Sequence, residues 1–352
     1  MKSNPAAAAI AALRKIDHRA LRTFAFKYAI YVVFALLVVF ISVFAPGFAS
    51  LANLRNILEQ SAVPMIVALG VGGILISGGT DLSAGRQVGL SAVVAASMLQ
   101  ALDYSRRIFP SLPELPVFVP ILIAICACAA VGVLNGLVVA YLKVPPFIAT
   151  LGTMVIVLGA NSIYYSSNRE IGAQPIAGFV KGFTAIGQGS IPVGGGFSIP
   201  FIVLIAFAAA VVVWVLHNKT RFGKNIYAIG GNAEAARVSG VNVAGTLVAV
   251  YALAGGLYGL AGTLEAARTG AASNQYGAMY ELDAIAACVV GGVSTSGGIG
   301  TVPGMMIGVM IFTVINYGLT FLGVDPYWQQ IAKGSIIVAA VAIDIRKYLT
   351  RR

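Results

Sequence analysis

Charge is scarce in this chain: Asp, Glu, Lys and Arg together make up 10% of its 352 residues, and only 12 residues are acidic. Soluble domains carry about a quarter charged residues, so a water-exposed globule of this length is excluded. Histidine is nearly missing. His18 and His217 stand far apart, which leaves no H-E-x-x-H zinc motif and no Cys–His pair for nucleophilic chemistry. Cys126, Cys128 and Cys288 lie in apolar runs with no histidine beside them. They make neither a zinc site nor a disulfide framework and read as small apolar residues of helices. The phosphate-cradling motif G-x-x-x-x-G-K-[ST] does not occur, since Gly223-Lys224 lacks both the earlier glycine and the following hydroxyl. Catalysis and nucleotide binding by this chain are not expected.

What fills the chain is apolar: 59% hydrophobic residues and a mean hydropathy of +0.89. Runs of about 17–25 apolar residues mark membrane helices. The sequence predicts an all-α polytopic membrane protein with about ten transmembrane helices. They are expected near Tyr28–Ala45, Ser61–Ile76, Gln87–Ala101, Val117–Leu142, Phe147–Tyr164, Ser198–Leu216, Ala244–Leu264, Glu281–Val293, Thr301–Leu322 and Ile331–Asp344. Pro46-Gly47 stops the first, and residues 48–60 read as a separate helix lying at the outer surface. Residues 165–197, polar and glycine-rich, read as an external loop. The 41 glycines suit helices whose backbones approach closely within lipid.

Residues 1–27 carry six Lys or Arg against the single acid Asp17, without the apolar core of a cleaved signal. They read as a basic cytoplasmic leader. Residues 28–345 form the membrane domain, and Arg346–Arg352 a basic tail. Ten crossings put both termini on one side. Sixteen of the 23 cations fall in the loops and tails of that side and six on the other, with Lys333 at a helix end. That bias places both termini in the cytoplasm. It also accounts for the net charge of +11 without a nucleic-acid partner, since the cations form no patch with interleaved aromatics.

The longest polar interruption between apolar runs that carries several cations is His217–Val243, expected on the cytoplasmic side. Within it a short helix is punctuated at both ends. Asn232 is a good N-cap, Glu234 and Arg237 suit the two ends of the dipole, and Gly240 stands where a left-handed residue closes a helix. So short a helix is marginal alone and must dock. It either packs on its own protein or inserts, through small Ala235 and Ala236, into a separate ATPase subunit.

A second pattern is internal. Residues 71–79 read VGGILISGG and residues 290–298 read VGGVSTSGG, an offset of 219 that also pairs Gly85 with Gly304 and Gly89 with Gly308. A duplicated membrane unit is expected. Glycine-interrupted segments at matching places point to a translocation path. The candidates are Gly73, Ser77, Gly78 and Gly79 in one unit, Gly292, Ser296, Gly297 and Gly298 in the other, with Asn135 and Asn316 at helix centres. This path is expected apart from the coupling surface. The acids Asp81, Glu265, Glu281, Asp283 and Asp344 all fall at or near predicted helix ends. The absence of an ionisable relay points to an uncharged solute and an external energy source.

Several stretches carry a resemblance: TDLSAGRQVGLSAVVAA (80–96), PFIATLGTM (146–154), NKTRFGKNIYAIGGN (218–232), AARVSGVNV (235–243), ELDAIAACVVGGVSTSGGIGT (281–301), FTVINYGL (312–319) and DPYWQQIAKG (325–334). Together they resemble permease subunits of bacterial ATP-binding-cassette sugar importers of the ribose, arabinose and galactose group. Arg86-Gln87 and DPYWQ look most like the galactose and methyl-galactoside branch, with glucose as a further sugar. The resemblance implies a homodimer in the inner membrane, a cytoplasmic ATPase that holds the ATP and Mg, and a periplasmic sugar-binding protein. It also implies that Gly231, Asn232, Glu234, Ala235, Ala236, Arg237, Ser239 and Gly240 form the ATPase-coupling helix. The competing class is a stand-alone secondary transporter or channel for a small neutral solute.

Overall fold

The computed structural model describes residues 32, 34–36, 38–166 and 174–349; the expected leader 1–27 and the end of the tail, 350–352, lie outside them. Among the described residues the regular structure is helical apart from one hairpin. In order, α1 is Leu51–Ile76, α2 Ala84–Met98, α3 Phe118–Ala140, α4 Pro146–Tyr165 and α5 Lys181–Gln188. The strands β1 (Ser190–Gly194) and β2 (Phe197–Pro200) follow, paired antiparallel. Then come α6 Phe201–Lys219, α7 Arg221–Gly231, α8 Ala233–Val238, α9 Val243–Thr269, α10 Tyr280–Val290, α11 Val302–Phe321 and α12 Pro326–Leu349. Among the described residues six helices, α1, α3, α4, α6, α9 and α11, are long and apolar enough to cross a membrane. The chain is a multi-pass membrane protein.

Three sequence expectations change. The separate surface helix at residues 48–60 does not exist: Ser50 caps Asn53 N–H at 3.2 Å and α1 runs unbroken to Ile76. Nothing between residues 60 and 61 breaks a helix, and Pro64 is tolerated inside it. The loop at 165–197 contains α5 and the hairpin, which give its backbone groups partners that a long bare loop lacks. His217, expected in a polar loop, lies in α6 and is buried.

Helix α1 is the hub: 78% of its apolar window is inside the protein, against 17% for α4. The outer faces of α3, α4 and α6 expose Leu122, Leu134, Ile156, Ile163, Phe207 and Val212, a surface that suits lipid and not water. Helix α9 packs on α3 almost backbone to backbone. A methyl added at Gly259 would lie 2.6 Å from Ile125 Cα, and one at Gly136 2.6 Å from Val248 Cα. In lipid, where apolar contact with neighbours is no better than with acyl chains, such close approach supplies the dispersion that holds helices together.

The connections sort into two ends. At one end Gln100 bridges Phe179 and Ile176 bridges Ala272, next to α5 and the hairpin. At the other end lie the turns after α1 and α10 and the α7–α8 stretch.

Candidate functional site

The polar stretch after α6 folds as two helices joined by one residue. Thr220 caps α7 through Gly223 N–H at 3.3 Å. Asn232 closes α7, its N–H reaching Ala228 O at 3.0 Å, and opens α8, its Oδ1 accepting from Ala235 N–H at 2.9 Å. The C-terminus of α8 has the expected form. Gly240 sits at φ +84°, and the Val241 and Gly240 N–H groups bond back to Ala236 and Arg237 carbonyls at 3.0 Å. Ser239 Oγ adds a bond to Ala235 O at 2.9 Å. Glu234 and Arg237 pair at 3.2 Å on the exposed face. One expectation is corrected here. Ala236 is buried against its own chain, so it anchors α8 and is not offered to a partner, whereas Ala235 remains exposed. The apolar residue presented outward is Val238, 89% exposed, which the sequence reading passed over.

Helix α7 was also missed, although Gly223, Ile226 and Ile229 recur at helical spacing on its buried face, with half-buried Gly230 beside them. Gly230 touches both glycine units. A methyl on it would overlap the Ile76 carbonyl oxygen and the Gly298 amide nitrogen. The two units are joined to each other by Gly298 N–H to Ile76 O at 2.8 Å, and Tyr227 Oη donates to Gly300 O at 2.8 Å. Gly78 and Gly297, at φ +83° and +86°, turn the chain at matching places in the two units. So Gly78, Gly297 and Gly298 lie against α7, not apart from the coupling stretch as expected. Gly79 lies beside the Tyr251 hydroxyl, Ser77 Oγ bonds Ile74 O at 2.7 Å, and Gly73 packs near the His217 ring. Gly292 and Ser296 are exposed on the second turn.

Between α1, the end of α9, α10 and α11 lies a cavity of about 210 Å³. Polar groups enter it from Gln60, Arg268, Tyr280, Asp283, Thr313 and Asn316. Its charges are paired: Arg268 Nη2 meets Glu265 Oε1 at 2.9 Å and Lys333 Nζ meets Asp283 Oδ2 at 2.8 Å. Tyr280 Oη donates to Glu265 Oε1 at 3.3 Å, and Asn316 Oδ1 is buried without a partner. The lining offers donors, acceptors and two aromatic rings, Tyr280 and Phe312, with no unpaired charge, which fits a neutral hydroxylated solute better than an ion. Of the ten path candidates only Asn316 lines it. Asn135 belongs elsewhere, in a buried network. Its Nδ2 donates to Ser83 Oγ at 3.0 Å, it accepts from Thr153 Oγ1 at 2.6 Å, and Ser83 Oγ donates to Asp81 Oδ1 at 2.6 Å. Apart from Asn316 no sequence signal marked the cavity, because its walls come from stretches up to 256 residues apart.

Comparison with known proteins matches residues 53–341 to the family described as "Branched-chain amino acid transport system / permease component". The chain is 58% identical to the galactose/methyl galactoside import permease protein of Haemophilus influenzae, over 92% of this chain and 95% of that protein. It is 55% identical to the protein of the same description from Escherichia coli K12, over 96% and 99%. It is 38% identical to the ribose import permease protein of Bacillus subtilis, over 89% and 90%. No solved structure matches with significance. A match over most of the chain, with relatives this similar along nearly their whole length, makes this protein a member of that family of membrane transport permease components.

Proposed function

We propose that this chain is the membrane-spanning permease subunit of an ATP-driven importer for galactose and methyl galactoside. The observation that carries the substrate is the 55–58% identity to galactose/methyl galactoside import permeases over 92–96% of this chain. The paired-charge cavity supports an uncharged sugar over an amino acid, whose ammonium and carboxylate would each need a charged partner there. Energy comes from a separate ATPase that seats on α8, with Ala235, Val238 and the Glu234–Arg237 pair as its contact. A periplasmic sugar-binding protein delivers the substrate at the opposite end.

In this reading the chain crosses the inner membrane ten times as a duplicated unit, with both termini in the cytoplasm, and works as a homodimer about a two-fold axis. The clustering of the turns after α1 and α10 with α7 supports one shared inner end, and the cation bias supports its being cytoplasmic. The sugar passes the cavity, and the glycine turns close the inner end. Pro64 and Val67 line the cavity and Ile76 ends α1, so a helix rise of about 1.5 Å per residue separates cavity and turn by about 14–18 Å.

The test is uptake of labelled galactose into proteoliposomes containing this chain, with and without the ATPase and the binding protein. Uptake is expected only with both, and ribose is expected to be moved poorly. Galactose uptake by this chain alone would instead establish a stand-alone carrier or channel.

A further inference from the structure

Three separate pieces of backbone meet at Gly230, and their arrangement has a mechanical consequence. Helix α8 is attached to α7 through Asn232 alone, whose N–H and side chain are both bonded, so the pair moves as a unit. The buried face of α7 lies on the turn after α1, where Gly78 Cα is 3.0 Å from the position of a methyl on Gly297. The same methyl position is 2.7 Å from Gly230 O. The Gly298–Ile76 bond ties one turn to the other, and Tyr227 ties α7 to the second turn through Gly300. Immediately beyond the turns begin α2 and α11, and α1 and α11 both wall the cavity.

We propose that Gly230 is the positioning residue of a backbone joint through which displacement of α8 moves the ends of α1 and α10 together. The proposal rests on the reading of this chain as an ATP-driven sugar permease. Because contact is between main chains, it has no side-chain slack, and a shift of α7 passes directly into both turns. Simple close packing would also select glycine here, so the distinction lies in coupling and not in assembly.

A glycine away from the joint supplies the control. A methyl on Gly159, exposed on α4, meets nothing within 4 Å, whereas one on Gly230 overlaps the Ile76 carbonyl and the Gly298 amide. The full importer with its ATPase and binding protein is reconstituted in proteoliposomes, and galactose moved per ATP hydrolysed is measured for Gly230→Ala, Gly159→Ala and Tyr227→Phe. Gly230→Ala is expected to lower that ratio by about tenfold or more, given the usual cost of overpacking. Gly159→Ala should match the wild type. Tyr227→Phe removes one hydroxyl without altering shape, and an effect of about fivefold on the ratio is expected from loss of one hydrogen bond. If Gly230→Ala does not assemble, Tyr227→Phe decides alone by the same ratio. An unchanged ratio in Gly230→Ala, or in Tyr227→Phe when Gly230→Ala fails to assemble, overturns the joint. A wild-type importer without binding-protein-dependent uptake overturns the functional reading instead, and the joint with it.

Discussion

Val238, 89% exposed at the end of a six-residue helix, is the apolar residue that the proposed reading sets at the ATPase contact. An unpaired carboxylate forced into a protein interface costs about 2 kcal/mol or more. Val238→Asp is therefore expected to weaken ATPase association about 30-fold or more while the chain still inserts, as measured by co-purification from membranes. Ala236→Glu should act differently, because Ala236 faces its own protein: it should undock α8 and lower the yield of folded permease. Lys333 pairs with Asp283 of the cavity wall, and both are only partly buried, so the pair is worth about 1 kcal/mol or less. Lys333→Ala should raise the galactose KM a few-fold, and Lys333→Ala with Asp283→Asn should recover part of it by removing the stranded charge. Equal effects in single and double variants would show that the pair does not bear on the sugar. The caps at Asn232 and Gly240 were legible in the sequence because a cap is made by residues three to five positions apart. The direction of Ala236 was not, since it depends on what α8 packs against.

Helix α9 shows how elements of this protein are held together. Gly255 and Gly256 are adjacent, but a methyl at Gly255 would overlap the Cys128 carbonyl on α3, while one at Gly256 reaches only Ile125 at 4.0 Å. Gly255→Ala is expected to cost about 1–3 kcal/mol, seen as a lower melting temperature in detergent. Gly256→Ala should be neutral or stabilising by up to about 1 kcal/mol through helix propensity. Similar losses at both positions would mean that the α3–α9 contact is looser than described. The long apolar helices were readable from hydropathy alone. Helix α7 was obscured by its polar surroundings, and α5 with its hairpin by their glycines, because short elements gain their stability from docking and not from local pattern.

For the whole molecule the sidedness of the two ends is the central prediction. Gln188 lies exposed at the end of α5 and Lys224 exposed on α7, at opposite ends of the fold. In a background lacking the native cysteines, Gln188→Cys should react in whole cells with a thiol reagent that passes the outer but not the inner membrane. Lys224→Cys should react only after the cells are opened. Reaction of position 224 but not 188 in intact cells would invert the topology.

The sequence by itself determined the membrane environment, the helical class, the capped helix α8 and the pair of glycine turns. Each follows from composition or from residues a few positions apart, where hydration and backbone geometry act locally. Only the tertiary structure decided that Gly230 lies between those turns, that Asn135 is occupied by Ser83 and Thr153, and that Asn316 faces a cavity with Arg268 and Asp283. These are contacts between segments distant in the chain. Whether a glycine or an asparagine serves packing or passage is set by which helix lies across from it, and no local pattern carries that information.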